Sequence, residues 1–123
     1  MTPQADGGIA TPLRIPAADW LSHFTGLREA GLVWFDFLTA IDRGAQADVV
    51  ARVAAVDLGR SALVVTTVDE ELDSLSGLYA GASWYERETR EMFGLRFAGL
   101  LDQRPLLHRL FTDPPPLRKQ ART

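Results

Sequence analysis

The chain of 123 residues contains no cysteine. That absence removes disulfides, thiolate zinc sites, iron–sulfur ligation and cysteine nucleophiles together. Histidine is scarce as well: only His23 and His108 occur, without ligand-like spacing, and both read as packing or surface residues. Long apolar runs are missing too, and nothing approaches the roughly 20 residues of a membrane-spanning helix. The leading "MTPQADGGIATPLR" lacks the basic-then-apolar layout of a signal peptide. A soluble protein is expected, one that meets a membrane only through a partner. Positive charge is also short. The formal net charge is −3, whereas phosphate binding wants a concentrated basic surface, so a nucleic-acid footprint is not expected. Phosphate loops, dinucleotide fingerprints and nucleophile elbows are absent from the sequence.

What is present describes one ordinary domain with one core: 46% hydrophobic and 24% charged residues. Residues 1–14 read as a flexible leader, 15–99 as a single α/β domain, and 100–123 as an extended partner-binding tail. Pro16 opens an expected helix to about Ala30, with Trp20, Leu21, Phe24 and Leu27 sharing a face and Gly31 as the stop. "GLVWFDFLTAID", "DVVARVAAV" and "SALVVTTV" are expected strands. The short turns between them favour a three-stranded antiparallel meander. "DEELDSLSGLYAGA" reads as a helical turn or two and a loop. A second helix covers about Trp84–Phe93 and stops at Gly94. The expected fold class is α+β: two layers, a mainly antiparallel sheet of at least three strands backed by two helices, with the tail beyond.

The densest information lies in "SWYERETREMFGLRF", residues 83–97. Ser83 and Glu86 have the spacing of a capping box, and Glu86 precedes Arg90 by four residues, the favourable order for a helix ion pair. On a helical wheel Ala82, Tyr85, Glu86, Thr89 and Phe93 form one stripe. Trp84, Arg87, Glu88 and Glu91 fall on the other side. A tryptophan ringed by charge has the composition of an interface hot spot. Catalysis is less well supported. Glu86 and Glu88 diverge by about 160–200° around a helix and cannot flank one substrate. Ser61, Ser74, Ser76 and Ser83 have no base nearby in sequence.

The run "WYERETREMFGLRFAG", followed by "RPLL" and "PLRK", resembles the C subunit family of NADH–quinone oxidoreductase, respiratory complex I, a module shared with energy-converting [NiFe] hydrogenases. Trp84, Glu86, Arg87, Glu88, Glu91, Met92, Phe93 and Gly94 match the hallmark. Arg104 with Leu106 and Leu107 matches the following basic-and-leucine segment, and Pro116, Leu117, Arg118 and Lys119 match the closing one. Gly99, Leu100 and Leu101 stand where the family usually has Gly-His-Pro, Glu91 stands where respiratory members more often have Asp, and Gln120 replaces an acid. Glu91 and "RPLLHRLF" lean toward the hydrogenase-associated branch or a divergent paralogue.

The resemblance implies a non-catalytic structural subunit of the peripheral arm. Such a subunit braces the large subunit holding the quinone pocket (or the nickel–iron centre) and its iron–sulfur neighbour. It implies no catalytic, cofactor or metal residue in this chain, with iron–sulfur clusters and quinone or the nickel–iron centre held by partner subunits. It also implies a hetero-oligomeric, membrane-associated complex on the cytoplasmic side of the membrane. The expected partner interface is Trp84, Arg87, Glu88, Glu91, Arg104, Leu106, Leu107, Arg118 and Lys119, with Ser83, Glu86 and Gly94 structural. Two other classes stay open: a small α/β enzyme using Glu86 or Glu88 as acid or base, and a stand-alone regulatory binding module.

Overall fold

A computed structural model describes residues 11–57 and 59–100. Its element order is β1 (Leu13–Arg14), a 3₁₀ turn (Ala17–Asp19), α1 (Trp20–Glu29), β2 (Trp34–Asp42), β3 (Ala47–Ala54), β4 (Ser61–Val68), β5 (Glu71–Asp73), α2 (Ala82–Phe93) and β6 (Arg96–Ala98). The four-stranded sheet runs β1-β4-β3-β2, and β5 and β6 form a separate two-stranded sheet. The expected meander is there: β2 to β3 and β3 to β4 pair antiparallel. With the two helices and the second small sheet, the fold is α+β.

Three differences from the sequence reading have simple causes. Leu13 and Arg14, expected in the leader, pair in parallel with Val64 and Val65. The stretch expected as a helical turn contains β5, which pairs in parallel with β6. Two- and three-residue strands carry no measurable period, so no local pattern announces them. Leu21 is exposed rather than sharing the buried face of Trp20 and Phe24, because it sits about 100° round the helix from Trp20.

A bulge between Phe35 and Phe37 organises the edge strand. Phe35 lies opposite Val53 and Leu38 opposite Ala51. Residues three apart would face opposite sides of a regular strand, and the extra residue turns both inward. Phe35 thereby reaches the rings of Tyr79 and Tyr85, at centroid distances of 5.4 and 5.9 Å. The core gathers Trp20 and Phe24, the inward residues Leu38, Val49, Ala51, Val53, Val64 and Val68, and Leu75, Tyr79, Leu95 and Phe97.

Both helix stops are backbone devices. After α1, Leu32 N–H donates to Leu27 C=O and Gly31 N–H to Arg28 C=O, each at 3.0 Å, the paired bonds of a Schellman end. Gly31 has φ of 101°, and the Arg60 guanidinium lies 2.8 Å from where a Cβ would stand. A side chain at 31 would meet both a strained backbone and that guanidinium. After α2, Gly94 takes φ of 77° and donates to Arg90 C=O at 2.9 Å.

Candidate partner-binding surface

Helix α2 begins at Ala82, with Gly81 in the N-cap position and no side-chain cap bond. The expected capping box is therefore corrected: Ser83 lies inside the first turn, and its N–H donates to Ala80 C=O at 3.3 Å. Glu86 does not turn back to the helix start. Its carboxylate accepts from the Ser74 hydroxyl and from Leu75 N–H, both at 2.6 Å. Ser74 is itself held by Ser76, whose hydroxyl lies 2.7 Å away and whose N–H donates to it at 3.0 Å. The conclusion that Glu86 faces the apolar stripe is correct; it is 0% exposed. Burial pushes its carboxyl up to about 7, against the opposing pull of the Leu75 and Ser74 donors. Those donors are neutral and cannot replace the lost hydration of a full charge.

The opposite side of α2 carries the exposed residues. Trp84 is 55% exposed, and the Arg87 guanidinium carbon lies 5.8 Å from its ring centroid, within cation–π range. Glu88 is exposed on the same turn. Glu91 departs from the reading that grouped it with these three. It is 4% exposed, and neither carboxylate oxygen has a hydrogen-bond partner among the described residues. The wheel places it near the charged side, but neighbouring structure covers it, which helical periodicity cannot register. Arg104, Leu106, Leu107, Arg118 and Lys119 lie outside the described residues.

A second exposed feature lies beside the start of β2. Val33 and Trp34 stand out from the edge strand, Trp34 at 58% exposure. With Phe35, Arg28 and residues Leu78–Gly81 they border an open groove of about 360 Å³. Tyr79 anchors its floor by donating from its hydroxyl to Leu32 C=O at 2.7 Å. Sequence reasoning missed this groove, because its walls come from segments more than forty residues apart. Nothing in the sequence marked it, since the exposure of Trp34 and the edge position of β2 arise only in the folded chain.

Of the histidines, His23 packs edge-on against Phe24 at 6.1 Å, and His108 lies outside the described residues. Among the described residues no group of three or more His, Cys, Asp or Glu is placed to hold a metal. No described helix is long and apolar enough to cross a membrane.

Comparison with known proteins decides the family. The sequence profile described as "Respiratory-chain NADH dehydrogenase, 30 Kd subunit" matches residues 13–123. The chain belongs to that family. The C subunit of NADH-quinone oxidoreductase from Jannaschia sp. is 38% identical over 91 residues, which cover 70% of this chain and 44% of that protein. A C/D subunit of the same oxidoreductase from Enterobacter sp. is 36% identical over 102 residues, covering 80% of this chain and 14% of that protein. The chain thus spans less than half the length of these relatives. Two solved structures share the fold. The trypsin-resistant fragment of Nqo5 superposes with a TM-score of 0.62 at 18% identity, over 74% of this chain and 80% of that one. A chain of the membrane-bound sulfane sulfur reductase, an archaeal respiratory membrane complex, gives 0.70 at 22%, over 85% and 65%.

Proposed function

We propose that this chain is a non-catalytic structural subunit of a complex I-type NADH–quinone oxidoreductase. In this reading it sits in the peripheral arm on the cytoplasmic side of the membrane. There it braces the large subunit of the quinone site and its iron–sulfur neighbour, which hold the cofactors. The observation that carries the reading is the division of α2. One side is locked into the domain through Glu86, while the other leaves Trp84 open beneath the Arg87 guanidinium. A large aromatic at 55% exposure with charged neighbours suits the centre of a protein interface.

Glu91 adds to this. A buried carboxylate without a donor among the described residues is costly, and a guanidinium from a partner or from residues 101–123 would relieve that cost. Leu100, expected at the start of the tail, is buried in the domain's core, so residues 101–123 serve as the partner-binding tail, with Arg104, Leu106, Leu107, Arg118 and Lys119 as its contacts. The proline run at 114–116 favours an extended form that docks with little further loss of entropy.

The test is purification of the tagged full chain at native level from its own cell membranes. Recovery with a large redox subunit and a cysteine-rich iron–sulfur subunit is expected, and truncation after Gly99 should abolish it. A chain recovered alone, or with hydrolytic activity of its own, would overturn the reading. Recovery with a nickel–iron large subunit would move the chain to the equivalent place in an energy-converting hydrogenase.

A further inference from the structure

The groove beside the start of β2 is formed by Arg28 at the end of α1, Val33–Phe35 on the sheet edge, and Leu78–Gly81 before α2. Its lining side chains other than Arg28 are apolar or aromatic, backbone polar groups open between them, and among the described residues its sole charged lining residue is Arg28. No carboxylate among the described residues lies within ion-pair distance of that guanidinium; it rests over the Tyr79 ring, 5.7 Å from the centroid. A chain of net charge −3 thus offers, among the described residues at this opening, one cation and no anion.

We propose that this groove receives an apolar side chain flanked by a carboxylate, carried by a neighbouring subunit of the assembly. The inference rests on the subunit reading above and adds a second contact, apart from the exposed face of α2. Size fits: about 360 Å³ lies at the small end of binding pockets and suits one or two side chains rather than a cofactor. Charge fits, since the exposed Arg28 guanidinium lies over the Tyr79 ring and can bond a carboxylate in a bidentate pair. Exposure fits as well. Trp34 at 58% has its ring available to close over an inserted side chain, as hot-spot tryptophans do.

The experiment places the photoreactive residue p-benzoylphenylalanine at Val33 of the full chain, in cells that assemble the complex. After irradiation the cross-linked peptide is identified by mass spectrometry. The expected adduct joins a different subunit through a peptide carrying an apolar residue beside Asp or Glu. Its yield should fall about fivefold or more in Arg28→Glu, the scale of a rim ion pair, and persist in Arg28→Lys. An adduct to residues 101–123 of this chain, to a second copy, or to a peptide without an acid would overturn the proposal. So would no adduct, or a yield indifferent to Arg28→Glu. Co-purification is scored in the same membranes, so a missing adduct in an assembled complex removes the groove contact and leaves the subunit reading standing.

Discussion

Asp48 and Glu86 are both almost wholly buried, at 3% and 0% exposure, yet their environments drive them in opposite directions. Asp48 lies in β3 beneath two guanidinium groups, Arg14 Nη2 and Arg43 Nε, each 3.0 Å from one carboxylate oxygen. The Thr67 hydroxyl donates to the other oxygen at 2.7 Å. The hydrogen bond from Arg14 leads, and with Thr67 and Arg43 it holds this carboxyl down at about 2, against the opposing effect of burial. Glu86 is bonded instead by Ser74 and Leu75, neither of them a cation, and burial wins. Burial alone does not set the charge of a carboxylate; the partners that share its burial do. The Asp48 cluster fastens β1 and the β2–β3 turn to the sheet, while Glu86 fastens α2 to the segment before it.

The largest way to break the comparison is Glu86→Ala. It leaves the Leu75 N–H without its acceptor, strips the Ser74 hydroxyl of its carboxylate partner and opens a cavity, so urea unfolding should show a loss of about 3 kcal/mol or more. A loss under about 1 kcal/mol would show that the two donors find water instead.

A pH series sharpens the contrast. With its folded value near 7 and an ordinary value of 4.5, Glu86 binds its proton more tightly in the folded chain. Its contribution to stability therefore falls as pH rises from about 4.5 to 7, by an amount on the order of 3 kcal/mol at most. Asp48 has the reverse sign: its contribution is complete above 3.8 and is lost as pH falls through about 2. Glu86→Gln should flatten the falling limb between pH 4.5 and 7 and leave the acid limb in place. A slope unchanged in that variant would show that another group titrates.

Asp48→Ala should cost less, about 1–2 kcal/mol, because Arg14 and Arg43 are more than half exposed and return to water. Part of that loss should vanish in high salt, unlike the loss at Glu86. The smallest stability effect is expected at Trp84→Ala, within about 0.5 kcal/mol by thermal unfolding. The same variant should lower recovery with the large subunit several-fold, since an interface residue acts on assembly rather than on the fold. Normal assembly would assign Trp84 no part in the interface.

Local chemistry made much of the fold legible in the residues alone. β-branched runs marked β2, β3 and β4, and apolar spacing marked the two helices. Gly31 and Gly94 marked their ends, because a left-handed residue after a helix is cheapest at glycine. The hallmark around Glu86–Glu88 led to the family that residues 13–123 match. Contacts distant in sequence decided the rest. The capping spacing of Ser83 and Glu86 gave way to bonds eleven and twelve residues back, because the carboxylate is buried where the 74–76 segment offers donors. Glu91 went inside although its wheel position was polar. Strand pieces of two or three residues found parallel partners that no local period could forecast. Periodicity records which side of an element is apolar, but which neighbours cover that side, and what charge they bring, is settled only when the layers pack.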